Sequence, residues 1–164
     1  MGKKKGAPQN TPAIVALKRA GVEFRVHEYQ LTEEEGTYGE SVAKSLGVEP
    51  GRMYKTLIAE VDGSPVVAVV PTDRQLGLKA LAAAAGGKRA KLADPADAER
   101  WTGYVTGGIS PFGQKKRLPL FVDGTTAEHD TVFVSGGQRG LQIELRPADF
   151  MAAQSANVVD GLGA

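Results

Sequence analysis

Met53-Tyr54-Lys55-Thr56-Leu57-Ile58-Ala59-Glu60-Val61 is the stretch from which the fold is read. β-Branched and aromatic residues are mixed into an apolar run bounded by Pro50-Gly51 and Asp62-Gly63, which predicts a strand. Alternate side chains of a strand point to opposite faces. One face carries Met53, Lys55, Leu57, Ala59 and Val61; the other carries Tyr54, Thr56, Ile58 and Glu60. A lysine therefore falls in the apolar row. An ammonium on the core side of a sheet loses hydration and needs a partner, a ligand or a lowered pKa. Two readings follow. Lys55 is a site residue, or it stands near the strand start and carries its charge to water along its stem.

Outward from this strand, Asp62-Gly63-Ser64 reads as a hairpin turn into Pro65–Pro71, whose near-continuous apolar run predicts a central strand paired antiparallel to the first. Upstream, Thr11-Pro12 supplies an N-cap and a proline at N1 for a short helix that Gly21 ends. A strand is expected over 22–29, with Glu23, Arg25, His27 and Tyr29 on one face. A polar loop over 32–36 and a helix from Tyr38 to Leu46 follow. Downstream come an alanine-rich helix over 76–85, a short basic strand-like piece over 88–92, and a helix opened by Asp94-Pro95 and stopped by Gly103. After a Gly-rich loop over 104–117, strands are expected over 118–123, 131–135 and 141–145, then a last helix from Pro147 to Ala153 and a frayed end. This predicts one α/β (α+β) domain with a mixed, mainly antiparallel sheet or partial barrel and surrounding helices. The expected division is a flexible basic arm over 1–10, the domain over 11–153 and a flexible tail over 154–164.

The 164 residues suffice for one domain with a real core, at 41% hydrophobic and 24% charged. A net charge of +1 argues against a general nucleic-acid binder but leaves room for a local basic patch. There is no cysteine, hence no disulfide, thiolate site or cysteine nucleophile. No apolar run approaches a membrane span. The N-terminus, Met1-Gly2-Lys3-Lys4-Lys5-Gly6, has charge without an apolar segment behind it, so no secretory signal is expected and the cytoplasm is the expected compartment. His27 and His129 are isolated, without the spacing of a metal site, so neither a metal nor a cofactor is expected. A histidine within a strand, such as His27, reads as structural. No nucleophile-elbow, Walker or dinucleotide motif occurs.

Three loops carry what polar chemistry remains. Residues 103–114 (GYVTGGISPFGQ) bring glycines whose backbone N–H groups can approach an oxyanion or phosphate. Lys115-Lys116-Arg117 is a local positive cluster. Ser135-Gly136-Gly137-Gln138-Arg139-Gly140 offers a hydroxyl, N–H groups and a guanidinium. Each also has a plain reading, as a turn or a solvated surface run. Together with Lys55 they describe a pocket for a polar, anionic ligand.

Tyr54-Lys55-Thr56-Leu57, then Thr102-Gly103-Tyr104 with Gly107-Gly108-Ile109-Ser110-Pro111 and Gly113-Gln114-Lys115-Lys116, then Val134-Ser135-Gly136-Gly137 with Arg139-Gly140-Leu141 and Ile143-Glu144-Leu145 resemble the YbaK/EbsC family. That family is related to the editing domain inserted in bacterial prolyl-tRNA synthetases. The resemblance runs from about Thr11 to Phe150, with the blocks in order and at matching spacing. It implies hydrolysis of mischarged tRNA in trans, Cys-tRNA(Pro) foremost, with Ala-tRNA(Pro) or another small aminoacyl-tRNA as the alternative substrate. The alternative from another class is a non-catalytic module binding RNA ends or nucleotides. The resemblance places the family's essential lysine on Lys55 and its substrate-binding positions on Thr56, Tyr29, Tyr38, Gly107 and Ser135, with Gly108 and Arg139 beside them. An aspartate of the family's pocket falls on Gln142, which removes a carboxylate and bears on cysteine selectivity. The nucleophile is the substrate's own thiol or a water. With few cations to neutralise phosphates, aminoacyl-tRNA is the expected partner together with prolyl-tRNA synthetase, which would deliver it.

Overall fold

The computed structural model describes residues 10–30 and 38–164 and, over 38–40, the backbone alone. Its elements are α1 (Pro12–Ala20), β1 (Arg25–Glu28), α2 (Tyr38–Leu46), β2 (Tyr54–Val61), β3 (Ser64–Pro71), α3 (Leu78–Ala84), β4 (Ala90–Leu92), α4 (Pro95–Thr102), β5 (Leu120–Asp123), β6 (Val132–Ser135), β7 (Leu141–Leu145), α5 (Pro147–Ala153) and β8 (Asn157–Val159). The expected α/β class with mixed, mainly antiparallel pairing is present, divided between two sheets with no closed barrel. One sheet has the order β4-β2-β3-β5-β8, the other β1-β7-β6. Among the strands of the described residues, β3–β5 and β5–β8 pair in parallel and the other ladders are antiparallel. A single bridge between Met53 and Phe133 links the two sheets.

The β2–β3 hairpin forms as its sequence predicts. Asp62 and Gly63 take φ of 50° and 86°, as a two-residue type I′ turn requires, and Val61 pairs with Ser64. The Asp62 carboxylate accepts the Lys88 and Arg89 N–H groups, both at 3.0 Å, and so fastens the turn to the start of β4. β3 is buried on both faces. Val67 and Val69 join Tyr54 and Ile58 in the larger core, while Val66, Ala68 and Val70 join Ala59, Val61, Leu81 and Leu162 in a second one. Both rows of β2 therefore face apolar neighbours. A third cluster packs Tyr29, Val42, Ala43, Met53 and Phe133 beneath α2.

Three expectations are corrected. β1 is shorter than 22–29, because its ladder with β7 runs only from Arg25–Glu144 to Glu28–Leu141. α3 starts at Leu78 rather than at residue 76, because Leu76 bridges to Gly163 and the Gly77 N–H is taken by the Leu162 carbonyl at 2.7 Å. The end of the chain is not a flexible tail. β8 extends the large sheet beside β5, Leu162 is fully buried, and Gln75 and Ala164 exchange two backbone hydrogen bonds. Apart from Asn10, the basic arm expected over 1–10 lies outside the described residues, as does the polar loop over 32–36.

Candidate active site

β4 is three residues long and pairs only with Ala59–Val61, so no strand of the large sheet covers that edge of β2 from Tyr54 to Leu57. A cavity of about 370 Å³ opens at this bare edge. Lys55 and Thr56 of β2, Gly107 of the glycine-rich loop and Ser135 at the end of β6 all line it. Three segments distant in sequence thus meet at one site. Val42, Met53, Ile58, Ala98 and Ile109 form its apolar walls. Tyr54 contributes a neutral surface: burial pushes its phenol up to about 12 against the opposing effect of its hydrogen bond with Thr125.

The loop that carries Gly107 is anchored inward by the buried Tyr104, Ile109, Ser110 and Phe112, while Val105, Thr106 and Gly107 between them are exposed. The Tyr104 hydroxyl donates to the Phe112 carbonyl at 2.6 Å. Glu99 of α4 accepts the Thr106 N–H at 2.8 Å, and that bond holds its carboxyl below the ordinary value. Gly107 has φ of 93°, where a side chain is strained. A Cβ at Gly108 would stand 2.7 Å from Gln138 Cα, so the loop lies directly against the turn after β6. The start of α1 clamps both pieces. Thr11 caps the helix by accepting the Ile14 N–H and donates its hydroxyl to the Gly136 carbonyl at 2.7 Å. A Cβ at Gly113 would collide with the Pro12 carbonyl. Ser135 Oγ in turn accepts the Gly137 N–H at 3.2 Å.

The remaining expected site residues are placed elsewhere. Gly108 and Arg139 line a neighbouring cavity with Thr11 and Tyr104, and the Arg139 stem runs over Gly107. Tyr29 is 9% exposed and packs behind Val42 and Met53, one layer back from the cavity. Tyr38 opens α2, and its side chain lies outside the described residues. Gln142, directly opposite Ser135 in the β6–β7 ladder, reaches the cavity wall.

A polar network on the same face of the small sheet has no signal in the sequence. His27 donates to Glu144 at 2.8 Å, the Thr131 hydroxyl donates to the other oxygen at 2.6 Å, and Arg52 donates to Thr131 while lying 5.3 Å from the centre of the Phe133 ring. Burial pushes the Glu144 carboxyl up, but the Thr131 and His27 hydrogen bonds, with the charge of Arg52, hold it below its ordinary value. His27 is thus a structural partner of Glu144, as its place in a strand suggests. Among the described residues, no group of three or more His, Cys, Asp or Glu side chains is arranged to hold a metal ion, and no helix is long and apolar enough to cross a membrane.

The chain matches the model of the aminoacyl-tRNA editing domain over residues 32–153. It is 40% identical over 145 residues, 88% of this chain and of its relative, to "Putative Cys-tRNA(Pro)/Cys-tRNA(Cys) deacylase EbsC" of Enterococcus faecalis. It is 31% identical over 161 residues, 95% of this chain and 94% of the relative, to "Multifunctional Ser/Thr-tRNA deacylase ProXp-y" of Escherichia coli. A crystal structure of "a putative trans-editing enzyme for prolyl tRNA synthetase" has the same fold, with a TM-score of 0.81 at 23% identity over 91% of this chain and 93% of that one. The chain belongs to the aminoacyl-tRNA editing domain family, and the resemblance of its three motif blocks is borne out.

Proposed function

We propose that this protein is a cytoplasmic trans-editing hydrolase that deacylates mischarged tRNA, Cys-tRNA(Pro) foremost, with prolyl-tRNA synthetase delivering the tRNA. The reading is carried by the meeting of Lys55, Thr56, Gly107 and Ser135 around one cavity of about 370 Å³. That volume is at the lower end for small-molecule sites and suits a small aminoacyl ester. The names of the two relatives, one a Cys-tRNA and one a Ser/Thr-tRNA deacylase, support the same chemistry.

Ester hydrolysis passes through a tetrahedral oxyanion, and catalysis lies in placing positive charge and N–H groups where that oxygen develops. Lys55 supplies the charge; the amides of the Gly107 loop and the Ser135 hydroxyl orient the ester. The protein has no cysteine, so a thiol nucleophile comes from the substrate. The cysteinyl thiolate adds to its own carbonyl, the bond to the ribose oxygen breaks, and that oxygen takes up a proton. Water then opens the resulting thiolactone to free cysteine. A positioned intramolecular attack of this kind has a high effective molarity and needs little help from a protein base. Esters without a thiol are attacked by water directly.

Hydrolysis of Cys-tRNA(Pro), Ala-tRNA(Pro) and Ser-tRNA by wild type and Lys55→Ala tests this. Cleavage of the cysteinyl ester first, with loss of at least roughly 100-fold in kcat/KM for Lys55→Ala, is expected. Equal rates for the two proteins would remove Lys55 from the reaction. Turnover of none of the three would leave a binding module instead of an enzyme.

A further inference from the structure

Two polar atoms in the cavity wall are buried without a hydrogen-bond partner: Thr56 Oγ1 and Gln142 Oε1. Buried polar atoms in folded proteins are almost always satisfied, so a pair in the wall of one cavity points to a ligand that satisfies both. Gln142 is 6% exposed. Its strand is central in the small sheet, with His27 of β1 opposite it on one side and Ser135 of β6 on the other. The acceptor is therefore built on a three-stranded frame, not carried by a surface loop. The apolar part of the same cavity wall, Met53, Ile58 and Ile109 among it, offers no hydrogen-bond donor of note.

We propose that Thr56 Oγ1 and Gln142 Oε1 form the subsite for the α-amino group of the aminoacyl ester, and that the protein requires this amine to be free. The inference rests on the deacylase reading above. Every aminoacyl ester carries the amine next to the reacting carbonyl, and the amine brings at least two N–H donors. Side-chain donors vary: alanine has none and a thiol is a weak one. Two N–H groups taken by two fixed acceptors set the torsion about the Cα–carbonyl bond and hence the face of the ester turned towards Lys55. A carboxamide is neutral, so it favours the ammonium over the amine only through a charge-assisted hydrogen bond, far less than a carboxylate at this position would. An α-amino group titrates near neutrality, at about 7.7–8.0, so this protein can take its substrate in both forms. N-acylated esters lose one donor and add bulk at the subsite; they are spared.

The test compares each aminoacyl-tRNA with its des-amino counterpart, alanyl with propionyl and cysteinyl with 3-mercaptopropionyl, in wild type, Gln142→Leu and Thr56→Val. The des-amino esters are smaller, so steric exclusion cannot explain their loss. In wild type, kcat/KM for the amino ester is expected to exceed that of the des-amino ester by at least about 10-fold, the size of one hydrogen bond to a buried group. In Gln142→Leu the ratio falls towards one, and Thr56→Val lowers it independently should the leucine variant not fold. In Gln142→Asp the apparent pKa of kcat/KM is expected to rise, since a carboxylate holds the amine protonated. A wild-type ratio near one, or a ratio that neither substitution changes, overturns the subsite while leaving the deacylase standing. Cleavage of none of the esters overturns the deacylase reading, and the subsite with it.

Discussion

Lys55 pairs with Val70 across the β2–β3 ladder and stands half-buried at the mouth of the cavity. In sequence it is legible as a misfit, a cation in an apolar row. Thr56 is not legible in that way, because a threonine in a strand is ordinary; the family resemblance alone points to it in the sequence, and its unpartnered hydroxyl marks it in the folded chain. Glycines divide similarly. The pair Gly107-Gly108 can be recognised as permissive backbone, but the reason Gly108 must lack a side chain is a contact with Gln138. Gly108→Ala is expected to push the loop from the turn and cost about 1–3 kcal/mol; denaturant unfolding measures it, and an unchanged midpoint would show that the turn yields freely. Glu144 gives a pH dependence. Its carboxyl ionises more readily when folded than its ordinary value of 4.5 allows, so its contribution is complete above that value and is lost as the pH falls through the lower folded one. Glu144→Gln is therefore expected to flatten the decline of unfolding free energy below about pH 4.5. Parallel acid limbs for the two proteins would exclude Glu144 as a source of that decline.

At the level of elements, local chemistry was a good guide where it acts locally. Thr11-Pro12 and Gly21 bound α1 as capping rules predict, and Asp62-Gly63 makes the hairpin. The same rules say nothing about what a cap does elsewhere. Thr11 holds the Gly136 carbonyl, 125 residues away, and so ties α1 to the turn that presents Ser135. Thr11→Ala removes the cap and this bond together, and a loss of about 1–2 kcal/mol is expected from thermal or denaturant unfolding. Thr11→Ser keeps both oxygen contacts and is expected to stay close to wild type. A serine variant as unstable as the alanine one would point to the methyl group instead. The short β4 belongs to this scale too. Its three residues read as barely a strand, yet by ending at Leu92 it leaves the β2 edge open for the cavity.

Across the whole molecule, the C-terminal residues show how far local polarity can mislead. Residues 154–164 look soluble and glycine-rich, but β8 adds a strand beside β5 and Leu162 enters the second core. Leu162→Ala is expected to cost about 2–5 kcal/mol, as for other buried leucines; a change below about 1 kcal/mol would mean that the end of the chain is not part of the cooperative unit. What the sequence by itself determined are the features written into neighbouring residues: the hairpin of β2 and β3, the helix caps, the single domain, the family motifs and a lysine out of place. Backbone propensity, turn chemistry and apolar period act over a few residues, and these are their direct products. Only the tertiary structure decided that Thr56, Gly107, Ser135 and Gln142 share one cavity with Lys55, that Tyr29 stands behind it, and that His27 meets Glu144. Those contacts depend on how the two sheets pack and in which register β1, β7 and β6 pair, which is set by the burial of side chains more than a hundred positions apart.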